Sequence, residues 1–272
     1  AIVSERMDNT FNSPDEIEEA LGLPILGIVP KTAQVQEKPN GIISATDPIS
    51  PMAESFRTIR SNILLGRQES TPRVIQVCSA LHSEGKSTIS SNLASIMAAA
   101  GERVILIDGD MRRPRLHKVF EVQNGKGLSS VLTKKTALDD VVRKTRIPNL
   151  SFMGSGPLYS NPAELLGSAT MLDLVTELRT RYDRVLIDCP PYLGIADASL
   201  MTPITDGVVL VVRSGKTVKD AVVKIKKNMD TIKAQMLGVI LNDMPGRSLD
   251  YYYHYNYTSY LSKKPAKGES AA

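Results

Sequence analysis

Tryptophan is absent from this sequence of 272 residues, which also contains only four phenylalanines, three histidines and two cysteines. The two cysteines, Cys78 and Cys189, are too few for a disulfide scaffold and suit small buried side chains. His82, His117 and His254 lack the spacing of metal ligands, so we expect no zinc site. No apolar run approaches the roughly 20 residues that a membrane helix needs.

The net charge is also small. The 33 basic and 29 acidic residues leave a formal charge of +4, which does not indicate a nucleic-acid partner, and we expect none. The apolar content of 42% is that of a globular protein, with enough chain for one large domain or two small ones. Because the first residue is Ala rather than Met, we expect a fragment of a longer chain, and a membrane segment would then lie outside it.

Tyrosine is distributed unevenly along the chain. Six of the nine lie within one segment of ten residues, at Tyr251, Tyr252, Tyr253, Tyr255, Tyr257 and Tyr260. This segment has neither helical nor strand periodicity, whereas a core needs aromatic side chains spread among its elements. We therefore predict a flexible tail from residue 247, with tyrosines that serve a purpose other than packing.

The first 66 residues alternate helical and extended patterns. Ser13 and Pro14 with an acidic first turn predict a helix that ends at Gly22. Residues 23–30 predict an edge strand bounded by prolines, and residues 31–50 predict a loop. A second helix is predicted over 51–66.

Residues 73–245 alternate short β-branched runs with helical stretches, which predicts an α/β fold with a mostly parallel sheet and helices on both faces. The predicted strands are 74–78, 104–107, 150–153, 185–187, 208–212 and 239–241. The predicted helices include 86–100, 163–181 and 219–234. Ligands of such sheets bind at the carboxyl ends of the strands.

A phosphate-binding loop is predicted where the first of these strands runs into a helix. Gly85-Lys86-Ser87 is the core of a P-loop, although Ala80 occupies the position of its usual first glycine. Successive backbone amides and the helix dipole favour bound phosphate at such a place. Lys86 is expected to reach the β- and γ-phosphates, and the Ser87 hydroxyl to bind Mg²⁺.

Carboxylates follow two further strands. Asp108 and Asp110 end one of them beside Arg112, and Asp188 ends another before a pair of prolines. Because the carboxyl ends of parallel strands share one edge, we expect the three carboxylates to converge on the phosphate loop. Mg²⁺ prefers such hard oxygen ligands and keeps several waters.

These motifs resemble, in order and combination, those of the bacterial tyrosine kinases, the cytoplasmic modules of polysaccharide co-polymerases. Residues 80–88 match that family's degenerate Walker A, and its D-x-D-x-R and D-x-P motifs match 108–112 and 188–190. Its oligomerisation motif E-x-x-R-x-x-R is matched by Glu54, Arg57 and Arg60, and its C-terminal tyrosine cluster by the six tyrosines above.

The resemblance implies a P-loop NTPase-like fold and a protein-tyrosine autokinase that uses ATP and Mg²⁺. The cofactor-binding residues are then Ser83, Glu84, Gly85, Lys86, Ser87, Thr88, Arg112 and Asn242, the last toward adenine. The magnesium ligands, directly or through water, are Ser87, Asp110 and Asp188. Lys86 and the three carboxylates form the catalytic set, in which Asp108, or alternatively Asp110, accepts the tyrosine proton. Arg112 or a neighbour's arginine offsets transition-state charge.

The resemblance also implies an organisation and partners. Residues 1–50 form a juxtamembrane-type segment that packs on the kinase, 51–246 the kinase domain with oligomerisation helix 51–66, and 247–272 the tyrosine tail. Copies are expected to assemble head to tail into a ring and to phosphorylate each other's tails. The further expected partners are a membrane co-polymerase segment, fused upstream, and a tyrosine phosphatase. The expected location is the cytoplasmic face of the bacterial inner membrane. The expected function there is to regulate exopolysaccharide or capsule polymerisation and export.

Two other functions fit the same fold. A partition-type nucleotide-switch ATPase would carry an extra lysine early in the loop, where this chain has Leu81, and it would leave the tyrosines without a purpose. A non-catalytic assembly module would bind nucleotide and be phosphorylated by another kinase, which the intact Lys86 and carboxylates disfavour.

Overall fold

A computed structural model describes residues 9–31, 41–66 and 71–246 of the chain. These residues form a sheet of eight strands in the order β1-β8-β7-β2-β6-β3-β5-β4. The strands are β1 (Ile25–Pro30), β2 (Val74–Ser79), β3 (Val104–Asp108), β4 (Arg143–Lys144), β5 (Leu150–Met153), β6 (Arg184–Asp188), β7 (Gly207–Arg213) and β8 (Met236–Met244). All pairings are parallel except that of β4 with β5, so the predicted mostly parallel fold is confirmed.

Helices cover both faces of the sheet. The α-helices are α1 (Pro14–Leu21), α2 (Ile43–Thr46), α3 (Pro51–Leu65), α4 (Lys86–Ala99), α5 (Leu116–Val119), α6 (Leu128–Leu132), α7 (Pro162–Leu166), α8 (Ala169–Arg181), α9 (Asp197–Met201) and α10 (Lys219–Thr231). Short 3₁₀ turns lie at Leu138–Asp140 and Thr202–Ile204. No helix among the described residues is both long and apolar enough to span a bilayer.

The central strands are mostly apolar because both of their faces are buried. One core cluster packs α3 and α4 on one face, with Phe56 and Leu93 among its members. The other packs α8 and α10 on the opposite face, with Leu178 and Ile225. Such two-sided burial is what turns a run of β-branched residues into a central parallel strand rather than a half-exposed one.

The N-terminal segment joins the sheet as predicted. The Ser13 hydroxyl accepts a hydrogen bond from the Glu16 amide, and Gly22 ends α1 in the left-handed conformation at φ +62°. The chain then enters β1, which pairs in parallel with β8 at the edge of the sheet. Phe11 ahead of the helix is fully buried. This segment therefore packs against the body of the domain.

Three sequence predictions are wrong in detail. The single helix expected over 163–181 is broken at Gly167, and Ser168 caps a new helix by accepting the Met171 amide. The expected loop over 31–50 contains the short helix α2 among its described residues, 41–50. The third long helix also ends earlier than predicted, at Thr231. Cys78 and Cys189 are free and buried, as expected.

Gly27 of β1 marks where the edge strand and α3 approach most closely. A Cβ built there would lie 2.5 Å from Cγ1 of Ile59, a fully buried side chain. We expect Gly27→Ala to lower the free energy of unfolding by about 2 kcal/mol, because overpacking displaces β1 from the helix. Urea unfolding followed by circular dichroism measures the change.

Gly125→Ala is the matched control for this substitution, since a Cβ at Gly125 meets nothing within 4 Å. It should unfold at nearly the wild-type urea concentration. Equal stabilities of the two variants would contradict the close packing of β1 on α3.

Candidate active site

The phosphate loop spans 80–85, between the end of β2 and the start of α4. Gly85 caps α4 at φ +97°, a conformation that L side chains rarely adopt. A Cβ at this position would also lie 2.1 Å from Nδ2 of Asn242. Glycine is therefore required here by both the turn and the close approach of β8.

Asp188, at the carboxyl end of β6, is tied to the first turns of α4. The Ser87 hydroxyl donates to its Oδ2 at 2.6 Å, and the Ser90 hydroxyl donates to its Oδ1 at 3.0 Å. Lys86 on the same helix is 8% exposed, and its charge favours the ionised carboxylate. Burial nevertheless dominates and raises the pKa of Asp188 to about 6.

Asp108 lies beside Asp188 because β3 and β6 pair in register, with these two residues as partners. Its Oδ2 accepts the backbone amides of Arg115 and Leu116, at 3.1 and 3.0 Å. Its Oδ1 is buried and has no hydrogen-bond partner among the described residues. Burial, and next the charge of Asp188, hold the pKa of Asp108 well above its usual value.

Asp110 and Arg112 lie in the turn that follows β3. The Asp110 carboxylate accepts the amides of Arg112 and Arg113, which fixes the turn, and it is 9% exposed. The Arg112 guanidinium makes two hydrogen bonds of 2.8 and 2.9 Å to the fully buried Asp197. Arg112 is thus held by an intramolecular ion pair at the site where it was expected to meet phosphate.

These oxygens fit a magnesium ion that is shared with phosphates. The Ser87 hydroxyl and the carboxylates of Asp110 and Asp188, which are the predicted ligands, lie at one edge of the sheet. The unpartnered Oδ1 of Asp108 lies beside them. No group of three or more His, Cys, Asp or Glu side chains among the described residues forms a self-sufficient metal cage. Mg²⁺ does not need such a cage, because it typically takes one or two carboxylates, waters and substrate phosphates.

The remaining predicted cofactor residues surround the same loop. Ser83 has φ +62°, and Thr88 lies in the first turn of α4. The Glu84 side chain is buried, and its Oε2 accepts the Leu81 amide at 2.7 Å. Asn242 donates its side-chain amide to the Glu84 carbonyl at 2.9 Å. Contact of Asn242 with adenine stays a prediction; in this structure the residue supports the loop.

The predicted oligomerisation residues lie on α3, and their side chains have different partners. Arg57 pairs with Glu54 at 2.6 Å, with both side chains exposed. Arg60 pairs at 2.8 Å with Glu102, which also binds Arg184. Both arginines line a cavity of about 800 Å³ that lies away from the phosphate loop. The six tyrosines of the predicted tail lie outside the described residues.

Sequence reasoning missed three groups that hold the site. Ser90 follows Lys86 by one helical turn, and that spacing was enough to place it on the same face. Asp197 carried no signal beyond the start of a short helix, since its partner Arg112 is 85 residues away. Thr217, whose hydroxyl donates to Glu84, is 133 residues from it and belongs to no motif.

Comparisons with known proteins bear on this arrangement. A family profile described as an AAA domain matches residues 73–241. The chain is 40% identical over 216 residues to the tyrosine-protein kinase YwqD of Bacillus subtilis (strain 168), which covers 79% of this chain and 90% of that protein. The solved BceF tyrosine kinase domain has a TM-score of 0.79 and 34% identity, over 87% of this chain and all of the other.

A more distant structure shares the fold alone. The septum site-determining protein MinD of Pyrococcus horikoshii OT3, solved with Mg-ADP, has a TM-score of 0.56 and 24% identity. The match covers 65% of this chain and 76% of MinD.

The raised pKa of Asp188 predicts a pH dependence of stability. Because its folded pKa, about 6, exceeds the ordinary 3.8, folding takes up a proton, and this stabilisation is present below pH 4 and lost as pH rises through 6. Relative to Asp188→Asn, we expect the free energy of unfolding of the wild type to fall by up to about 3 kcal/mol between about pH 4 and 7.5.

Urea unfolding of both proteins at several pH values measures this difference. Asp188→Asn also removes the charge that helps to raise the pKa of Asp108. The comparison therefore includes the titration of Asp188 and the change in the pKa of Asp108. A difference between the two proteins that is constant with pH would contradict the raised pKa of Asp188.

Proposed function

Since the chain belongs to the bacterial tyrosine-protein kinase family, we propose that it transfers the γ-phosphoryl group of ATP to the tyrosine cluster of a second copy of itself. One observation carries this proposal: Ser87, Asp188 and the unpartnered oxygen of Asp108 meet beside Lys86 at the carboxyl edge of the sheet. That edge is where α/β proteins bind their ligands.

In the proposed mechanism the protein positions phosphates and disperses charge. The backbone amides of 83–87 and the Lys86 ammonium hold the β- and γ-phosphates at the start of α4. Ser87, Asp110 and Asp188 would hold Mg²⁺, directly or through water, and the ion would neutralise charge on the phosphates. Arg112, oriented by Asp197, lies beside this site and adds positive charge.

The new P–O bond forms as the bond between the γ-phosphorus and the leaving ADP breaks, and the acceptor hydroxyl must lose its proton. Asp108 is the proposed acceptor of that proton, because its pKa lies well above the ordinary value and one of its oxygens has no partner in the described structure. Asp110 is the alternative, since it is more exposed to an incoming tyrosine, at 9% against 0%. Each phosphate added to the tail contributes about −1.5 to −2 charges, so phosphorylation of several tyrosines outweighs the net +4 of the chain.

Transfer between copies is proposed to take place in a head-to-tail ring. Arg57 and Arg60 line the cavity beside α3, and this recess is the proposed seat for a segment of the neighbouring subunit. By resemblance, a membrane co-polymerase segment upstream and a tyrosine phosphatase complete the system. Its proposed place is the cytoplasmic face of the bacterial inner membrane, where it would regulate exopolysaccharide or capsule polymerisation and export.

Lys86→Met should abolish tyrosine phosphorylation. The substitution removes the charge that meets the transferred phosphoryl group, so we expect at least a ~100-fold loss of phosphotyrosine formed with Mg-ATP. Lys224→Met is the control, because Lys224 is exposed on α10. Label that persists in Lys86→Met would point to a contaminating kinase, and absence of label in wild type would refute the autokinase.

Transfer in trans is tested by mixing a chain that cannot catalyse the transfer with a chain that cannot accept the phosphoryl group. One chain carries Lys86→Met and keeps its tyrosines; the other is active but has phenylalanine at all six positions of the cluster. We expect the Lys86→Met chain to become labelled at a rate that rises with the concentration of its partner. Label that appears only when kinase and tyrosines share one chain would refute transfer between copies.

Arg57→Glu should weaken self-association. Its ion pair with Glu54 is exposed, so charge reversal is expected to leave the fold intact while placing a repulsive charge at the proposed interface. Light scattering after size exclusion should show a smaller assembly than wild type. Lys224→Glu makes the same charge change on α10 and should behave as wild type. If Arg57→Glu assembles like that control, Arg57 is not at the interface.

A further inference from the structure

We propose that Glu84 and Thr217 are positioning residues of the phosphate loop, whose buried contact holds the loop in its phosphate-binding conformation before nucleotide arrives. This inference rests on the proposed function only in that nucleotide phosphates bind the loop. Neither residue is proposed to touch the reacting atoms. We call the pair, together with Arg213, the loop brace.

The Glu84 carboxylate is fully committed to protein contacts. Its Oε2 accepts the amide of Leu81 at 2.7 Å, which closes the turn at the start of the loop. Its Oε1 accepts the hydroxyl hydrogen of Thr217, from the loop that follows β7. Glu84 is 3% exposed and Thr217 is fully buried.

A buried carboxylate in a phosphate-binding loop requires a specific reason. Burial of a charge costs free energy, and negative charge there opposes bound phosphate. A side chain that only filled this space would be apolar or neutral. The two hydrogen bonds of Glu84 supply a reason, because charge-assisted hydrogen bonds in a low-dielectric interior are the strong ones.

Arg213 extends the brace to the middle of the loop. Its backbone amide donates to the Thr217 hydroxyl oxygen at 2.8 Å, and its guanidinium donates to the Ser83 carbonyl at 2.8 Å. The same guanidinium pairs with Asp243 at 2.6 Å, so its position is fixed from β8. Strands β7 and β8 therefore hold the loop at Ser83 as well as at Glu84.

The loop conformation is one that needs such support. Ser83, with φ +62°, and Gly85, with φ +97°, flank Glu84 in left-handed conformations. For a residue other than glycine this conformation costs roughly 1–2 kcal/mol. Backbones that alternate hand in this way gather their amides into an anion-binding concavity. The brace is thus placed where strain and phosphate binding coincide.

The N-terminal segment holds the outer side of the Thr217 loop. The Phe11 amide donates to the Thr217 carbonyl at 3.2 Å, and the Gly215 amide donates to the Phe11 carbonyl at 2.9 Å. The Lys219 ammonium pairs with Glu16 of α1 at 3.1 Å. Thr217 is therefore fixed on both sides, which allows it to serve as a rigid support.

Thr217→Val tests the brace, because valine has the shape of threonine without its hydroxyl. Using the full chain, we expect the dissociation constant for Mg-ADP, measured by calorimetry, to rise about tenfold, because binding must then order the loop. Thr217→Ser restores the hydroxyl and should recover affinity to within about threefold of wild type.

Thr202→Val is the matched control. Thr202 is also buried, and its hydroxyl bonds to Gln76 and to the Ala198 carbonyl rather than to the phosphate loop. It should lose thermal stability much as Thr217→Val does while it keeps the wild-type dissociation constant. Wild-type affinity in Thr217→Val, or equal losses of affinity in both valine variants, would overturn the brace.

Arg213→Met covers the case in which Thr217→Val does not fold. It removes the guanidinium from the Ser83 carbonyl while keeping most of the aliphatic stem, and it should weaken Mg-ADP binding severalfold. Unchanged affinity there would refute the proposal. Failure of the wild-type chain to bind Mg-ADP would instead refute the proposed nucleotide function, so the two failures are distinguishable.

Discussion

A buried carboxylate, Asp188, joins the phosphate loop to the strand that carries Asp108. Its oxygens accept the hydroxyls of Ser87 and Ser90, and its backbone partner in β3 is Asp108 itself. This requires β6 to lie between β2 and β3 with the ends of all three strands level, and the sheet order provides it. Two carboxylates this close and this buried cannot both ionise cheaply, and the pKa of each is raised. In the proposed function, a divalent cation bound beside the pair would offset the cost of burying it in the folded protein.

The strands on the other side of the loop, β7 and β8, carry side chains that hold the loop backbone in place. Arg213 of β7 donates to the Ser83 carbonyl and Asn242 of β8 donates to the Glu84 carbonyl, while Asp243 of β8 holds the Arg213 guanidinium in place. The N-terminal segment adds β1 to β8 and also contacts the loop after β7. Residues before α1 and residues of the phosphate loop therefore have neighbours in common, although about 70 positions separate them in the sequence. In the proposed function, a local motif binds phosphate in a shape that distant edges of the sheet hold.

Local features of this protein could be predicted from its sequence, whereas pairings over long separations could not. The central strands could be predicted because burial on both faces makes them mostly apolar. Gly85-Lys86-Ser87 could be predicted because phosphate binding needs those residues at that spacing. The partners of the site residues are different. Arg112 finds Asp197 and Glu84 finds Thr217 across 85 and 133 residues, and each partner is an ordinary polar residue in its own segment. The break at Gly167 was missed for a related reason, since the helical periodicity continues through it and only the new cap at Ser168 marks the change of direction.

The two arginines of α3 differ in what an assembly would require of them. Arg60 is bonded to Glu102, which also holds Arg184, and these three side chains are between 13% and 26% exposed. Separating Arg60 from them leaves a poorly solvated carboxylate with one partner fewer, which is costly. Arg57 is 43% exposed and its partner Glu54 is 67% exposed, so their pair contributes little to stability. Exchanging Glu54 for a partner on a neighbouring subunit therefore costs little in that ion pair, although Arg57 also donates to the Pro48 carbonyl. The same motif thus combines an arginine that fixes the helix to its own domain with one whose exposed ion pair is exchangeable in the proposed assembly.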